Sequence, residues 1–196
     1  FCVSGMKREV ERCQEVLELA SQGKKVALIS SGDSGIYGMA GIMLEVAMDS
    51  EIEVEVIPGI TSTIAGASLV GAPLMHDQVV SSLSDLLTDW EVIKRRLEAA
   101  GQGDFVISLY NPRSKKRVNQ IQEAREILLK YKKLSTPVAL LRHIGREGEN
   151  YDLCTLENFL DYEIDMFTIV LIGNSNSYIK NGKMITPRGY QEKYEY

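Results

Sequence analysis

The 196-residue chain predicts an α/β fold in two domains, a doubly wound, mostly parallel sheet first and a mixed α/β part with antiparallel strands at its end. Three observations predict it. Helix-period and buried-strand patterns alternate through the first third of the chain. Gly71-Ala-Pro-Leu-Met-His76 then interrupts that alternation. Near the end, Asn181-Gly182 stands between the short runs Tyr178-Ile179 and Met184-Ile185, a strong two-residue hairpin signal. The interruption places the boundary, giving domains 1–74 and 75–196.

Met6, Val10, Cys13, Leu17 and Ala20 recur at helical spacing, and Gly23 is a fitting stop. Val26–Ile29 is a short continuous apolar run, the pattern of a strand buried on both faces. A loop, Ser30 to Gly38, leads into an apolar helix over 39–48. A strand over 53–57, a Pro58-Gly59 turn and a small-residue helix over 61–70 complete the first part. Beyond the boundary the patterns predict strands over 78–82, 105–109 and 137–141, with helices over 89–100 and 116–131 between them. Further strands are expected near 151–154, 167–172 and 177–185.

The net charge of −5, from 22 basic and 27 acidic residues, disfavours a general polyanion binder such as a nucleic-acid protein. Two local basic clusters stand out, one at Arg113, Lys115, Lys116 and Arg117 and one at Arg142, His143 and Arg146. Such a mouth on an acidic chain suits a small, multiply acidic ligand, with solvated surface charge as the alternative. No apolar run approaches the roughly 20 residues of a membrane span. No signal peptide is visible, and the three cysteines lack paired spacing, so the expectation is a cytoplasmic protein with reduced thiols. Phe1 stands where an initiator Met is usual, so the chain is expected to begin inside a longer protein. The two histidines show no metal-binding spacing, and no protein-bound metal is expected.

In an open α/β sheet, ligands bind where strand ends turn into helices. Three such loops are rich in small or polar residues. Ser31-Gly32-Asp33-Ser34-Gly35-Ile36-Tyr37-Gly38 permits close backbone approach, and Asp33 can accept from a ribose or an amino group; a tight turn with a helix cap is the alternative. Pro58-Gly59-Ile60-Thr61-Ser62 runs into a helix whose exposed N–H groups can receive a carboxylate, although capping alone would explain it. Leu109-Tyr110-Asn111-Pro112-Arg113 offers a phenol and an amide suited to an adenine edge, and Asn-Pro is also a common turn starter.

Together these loops resemble those of the tetrapyrrole methylase family, S-adenosylmethionine-dependent enzymes that methylate precorrins and sirohaem precursors. Ser31-Gly32-Asp33 is similar to the family's glycine-glycine-aspartate element with serine in place of the first glycine, and Pro58-Gly59-Ile60-Thr61-Ser62 to its second motif. Gly5-Met6, Glu9-Val10-Glu11-Arg12, Ser30 to Ala40, Ser108 to Arg113, Gly145-Arg-Glu-Gly-Glu149 and Thr186-Pro-Arg-Gly-Tyr190 are similar to the branch that methylates precorrin-3B, or cobalt-precorrin-3, at carbon 17. The family's opening strand and glycine-proline loop have no counterpart in the sequence.

The resemblance implies S-adenosylmethionine as methyl donor, held between two domains and left as S-adenosylhomocysteine, and C17-methylation with ring contraction in cobalamin biosynthesis. It implies donor contacts from Ser31, Gly32, Asp33, Ile36, Tyr37, Thr61, Ser62, Tyr110, Asn111 and Gly145. Arg113, Arg142 and His143 would hold the macrocycle's carboxylates, and Tyr37, His143 or Asp33 would move protons. A homodimer is implied as well. A methylase acting on another precorrin carbon or on a diphthamide precursor, or a non-catalytic metabolite-binding module, are the competing readings.

Overall fold

The computed structural model describes residues 8–195, so Met6 and the Gly5-Met6 motif lie outside the described residues. The predicted first helix is α1, Glu9–Ser21, with Cys13 fully buried and Val10 left 53% exposed. Gly23 ends it at φ +81°, its N–H donating to the Ala20 carbonyl at 2.8 Å. That left-handed stop is what the sequence predicts. Helix α2, Ala40–Ala47, packs Met43 and Ala47, with Met39 just ahead of it, against Cys13, Val16 and Leu17.

Two expected strands require correction. Among the described residues, neither Val26–Ile29 nor Glu53–Ile57 is paired in a ladder. Leu28 and Val54 turn inward onto the α1–α2 cluster, but Ile29 is 76% and Ile57 66% exposed. An apolar run becomes a strand only when a neighbour takes its N–H and C=O groups, and here only Leu28 and Val54 are even half-buried.

The chain forms two compact units, the first ending at Thr61 and the second beginning at Ser62. The second opens with helix α3, Ser62–Val70, and the two-residue strand β1, Gly71–Ala72. Then follow β2 (Gln78–Ser82), α4 (Trp90–Gln102), β3 (Val106–Tyr110), α5 (Gln120–Leu128), β4 (Pro137–Arg142), β5 (Asn150–Thr155) and β6 (Thr168–Ile172). The hairpin β7 (Tyr178–Lys180) and β8 (Lys183–Ile185) turns through Asn181 and Gly182, both at positive φ as the pair predicts. Gly71 sits at φ +136° beside β8, where a Cβ would come within 2.5 Å of the Met184 carbonyl oxygen.

The five-stranded sheet has the order β2-β3-β6-β4-β5, and β1-β8-β7 form a second, three-stranded sheet. Every residue of β3, β4 and β6 is buried, which explains why their sequences read as continuous apolar runs. Strands β2 and β3 are parallel, while β6 runs antiparallel to both β3 and β4. It follows that β2, β3 and β4 share one direction and their carboxyl ends share one edge of the sheet. Each fully buried leucine or isoleucine here, such as Leu97, Ile107, Leu140 and Leu171, contributes about 1.5–3 kcal/mol.

Helix α4 is capped by the Asp89 carboxylate, which accepts from the Glu91 N–H at 2.8 Å. Helix α5 begins later than its periodicity suggests. The Ser114 hydroxyl accepts from the Arg117 N–H and the Arg117 carbonyl from the Ser114 N–H, so a closed turn precedes the helix. At the opposite end of β3, the buried Lys132 ammonium donates to Asp104 at 3.2 Å and to the Phe105 carbonyl at 2.9 Å. Desolvation pulls the Lys132 pKa down, against the attraction of Asp104. Cys13 and Cys154 are buried free thiols, and burial pushes Cys154 up to about 12, far from a reactive range. Among the described residues no helix is long and apolar enough to cross a membrane.

Candidate functional site

In the first unit the site residues are set by one carboxylate. Asp33 accepts the Gly35 N–H at 2.8 Å and the Gly59 N–H at 2.9 Å, one on each oxygen, and so joins the loop over 31–38 to the Pro58-Gly59 turn. These bonds, the one from Gly59 first, hold its carboxyl below the usual carboxylate range. The two loops touch so closely that a Cβ on Gly59 would lie 2.1 Å from the Gly32 carbonyl oxygen. Asp33 is thus a brace between two loops before it is anything to a ligand, a role the sequence reading missed. Gly32 adopts φ +73°, and Tyr37, 56% exposed, takes φ +56°. Ile36 is 41% exposed, and Ser31 is also at the surface. Thr61 is half-buried.

In the second unit, the candidates gather at the carboxyl ends of β2, β3 and β4. Helix α3 starts there. The buried Tyr110 phenol oxygen accepts the Thr63 N–H at 3.0 Å and ties the first turn of α3 to the end of β3. The Tyr110 oxygen thus caps a helix within the protein. Thr63 Oγ1 is buried with no hydrogen-bond partner, so this helix start keeps polar capacity that the described residues leave unused. Half-buried Ser62 stands beside it.

Asn111, the residue after β3, has φ +50° and donates from Nδ2 to Ser82 Oγ at 2.9 Å across the β2–β3 edge. Arg113 is exposed and makes no hydrogen bond or ion pair among the described residues. At the end of β4, Arg142 is buried. Its guanidinium donates to the Glu163 carbonyl at 2.8 Å, Asn150 Oδ1 at 2.9 Å and Asp152 Oδ2 at 2.7 Å. Arg142, expected to hold ligand carboxylates, thus already ties the end of β4 to β5 and to the segment before β6 through three protein acceptors.

His143 follows at φ +51°, its ring against Phe167 at a centroid distance of 5.4 Å and Nε2 3.8 Å from Asp165 Oδ2. Thr168 Oγ1 and the Phe167 N–H donate to the other Asp165 oxygen and fix that carboxylate. Gly145, at φ +72°, donates its N–H to Glu149 Oε2 at 2.7 Å. Glu149 was visible only as part of a glycine-bearing motif, and Asp165 gave no local signal. His76 lies apart, before β2, accepting its neighbour's N–H on Nδ1.

Residues 4–160 match the tetrapyrrole (corrin/porphyrin) methylases. The chain belongs to that family. Among its family relatives, a probable cobalt-factor III C(17)-methyltransferase of Salmonella typhimurium is 53% identical over 95% of this chain and 78% of that protein. A cobalt-factor III methyltransferase of Priestia megaterium is 50% identical over 97% of this chain but only 36% of that protein, so the chain spans about a third of this relative's length. Among solved structures of the family, the methyltransferase CobJ superposes with a TM-score of 0.87 at 32% identity, over 94% of this chain and 79% of that one. This methylase thus has the mixed α/β fold that its sequence implied.

Proposed function

We propose that this methylase transfers a methyl group from S-adenosylmethionine to carbon 17 of a precorrin-3B or cobalt-precorrin-3 type macrocycle, with ring contraction. One observation carries the reading. The start of α3, Asn111 after β3, and His143 and Gly145 after β4 share one edge of a single sheet, and their motifs match a family whose close relatives bear C17-methyltransferase names. The donor supplies an electrophilic methyl carbon on a sulfonium. The residues present fit such a group. The close Gly32–Gly59 contact gives a backbone-lined loop pair, and the α3 start carries an unused buried hydroxyl suited to a polar ligand.

In this reading Ser31, Gly32, Ile36, Tyr37, Thr61 and Ser62 bind the donor's amino-acid and ribose parts, and Asn111 and Gly145 its adenine. Asp33 and Tyr110 hold those elements in place. Alignment of methyl and ring carbon is the main catalytic contribution, and positioning of that kind supplies roughly 7–11 kcal/mol. Arg113 pairs with a ring carboxylate. His143, oriented by Asp165 and Phe167, moves the proton that contraction requires, with Tyr37 as the other candidate. The protein acts as a homodimer in the cytoplasm.

Titration calorimetry of the full chain with S-adenosylhomocysteine tests the reading, followed by mass spectrometry of the macrocycle after incubation with S-adenosylmethionine. The expected results are saturable binding and a product heavier by one methyl group. A folded chain that binds no S-adenosylhomocysteine, or that prefers a dinucleotide, would refute the proposal.

A further inference from the structure

The basic run after Asn111 invites a single role, yet its members behave differently. Arg113 points to solvent, whereas the Arg117 side chain is only 13% exposed. Arg117 Nε donates to the Asn111 carbonyl and its Nη1 to Ser84 Oγ, each at 3.3 Å, and the same Nη1 lies 3.7 Å from Asp85 Oδ1. Gln120, in the first turn of α5, donates to the other oxygen of Asp85 at 2.9 Å. Asn111 in turn holds Ser82, and the Leu83 N–H donates to the Tyr110 carbonyl at 2.9 Å. The loops that leave β2 and β3 are therefore cross-braced at every step. Each Arg117 bond is long for a hydrogen bond, so the hold comes from their number and from the fork geometry of the guanidinium.

The brace acts on a backbone that needs one. Asn111 is left-handed at φ +50°, a conformation asparagine tolerates but that its surroundings must select from the alternatives. The guanidinium reaches the carbonyl of that same residue. We infer that Arg117 is a positioning residue: it does not touch the macrocycle but fixes Asn111, through its carbonyl and through the Ser84–Asp85 loop, in the orientation that meets the methyl donor. The inference rests on the reading of Asn111 as a donor contact. A lysine at this position carries the charge but cannot span Asn111, Ser84 and Asp85 together, so charge alone does not replace it.

The experiment compares S-adenosylhomocysteine affinity and macrocycle KM for Arg117→Met, Arg117→Lys and Asn111→Ala in the full chain, well below the unfolding temperature. If loss of the brace leaves the loop competent in about a tenth of molecules, affinity falls about tenfold by population alone. The expected result is that fall in both Arg117 variants, with no rescue by lysine and with macrocycle KM little changed. A raised macrocycle KM with unchanged S-adenosylhomocysteine binding would make Arg117 a direct carboxylate clamp and overturn the inference. Unchanged binding in Arg117→Met with loss in Asn111→Ala overturns it while sparing the reading of Asn111. Unchanged binding in Asn111→Ala removes that reading itself. Should the Arg117 variants fail to fold, Ser84→Ala and Asp85→Asn loosen the same brace. They should weaken binding about threefold, by the same population argument, and no change in either is a refutation.

Discussion

Replacing Gly66 with alanine sets two effects of known size against each other. Gly66 lies within α3, where alanine improves helix propensity by about 1 kcal/mol. The new Cβ, however, would stand 2.5 Å from Leu141 Cδ1 and 3.2 Å from Leu141 Cβ and Cγ. Leu141 is fully buried in β4, so it cannot swing into solvent, and overpacking of this kind costs about 1–3 kcal/mol. Packing wins. The expected net loss is about 1 kcal/mol, a urea midpoint lower by roughly half a molar for a chain of this size. Gly41 in α2 is the control, because nothing lies within 4 Å of its added Cβ and only the propensity gain remains. Gly41→Ala should hold or raise stability by up to about 1 kcal/mol. Combining Gly66→Ala with Leu141→Ala should recover part of the loss as a coupling between contacting residues. Urea unfolding followed by circular dichroism reads all of these. A Gly66→Ala protein as stable as the parent would show that α3 does not pack on β4 as closely as argued.

Two further perturbations address the loops. The Asp33 carboxyl is held below its usual range by N–H groups that favour the charged form, so its contribution is full above the unfolded value of roughly 3.9 and is lost as pH falls through the lower folded value. The Gly35 and Gly59 amide resonances should therefore titrate with a midpoint below that of an ordinary aspartate and cease to do so in Asp33→Asn; a midpoint at or above the ordinary value rules out the brace. Arg113→Ala should raise macrocycle KM about tenfold while S-adenosylhomocysteine affinity stays level and stability moves by less than about 0.5 kcal/mol, as befits an exposed side chain. An unchanged KM would end its role as a carboxylate partner.

The sequence was most readable where local chemistry decides the outcome. The Asn181-Gly182 turn, the Gly23 stop and the buried runs of β3, β4 and β6 all follow from rules that act over a few residues. It was least readable where a partner comes from elsewhere. Val26–Ile29 reads like Val106–Tyr110, yet only the second gains neighbours for its backbone, and nothing within the runs distinguishes them. The site divides in the same way. Small residues at strand ends marked the loops, but the protein partners of Asp33, Tyr110, Arg142 and Arg117 come from distant segments that those loops do not reveal. A charged or phenolic group in such a loop is as readily a fastener of the loop as a contact for a ligand, and type and spacing alone do not separate the two.

Backbone strain does help to separate them. Among the described residues, Tyr37, Asp104, Asn111, His143 and Asn181 have positive φ without being glycine. Asparagine and aspartate tolerate this region, so at Asn111 the backbone alone accounts for the residue type, and its side chain must be judged by its bond to Ser82. Tyrosine has no such excuse, and histidine, commoner there than most residues, still pays more than glycine. At His143 the conformation is imposed by the Phe167 carbonyl, which accepts its N–H at 3.3 Å, and by the Arg146 N–H, which donates to its own carbonyl at 2.8 Å. Glycine would occupy the same backbone without the strain of about 1–3 kcal/mol that such residues carry. The imidazole held there packs, tilted by 31°, against Phe167 and faces Asp165 at 3.8 Å. The same strain marks Tyr37, 56% exposed on a left-handed backbone, whereas its neighbour Ile36 carries none.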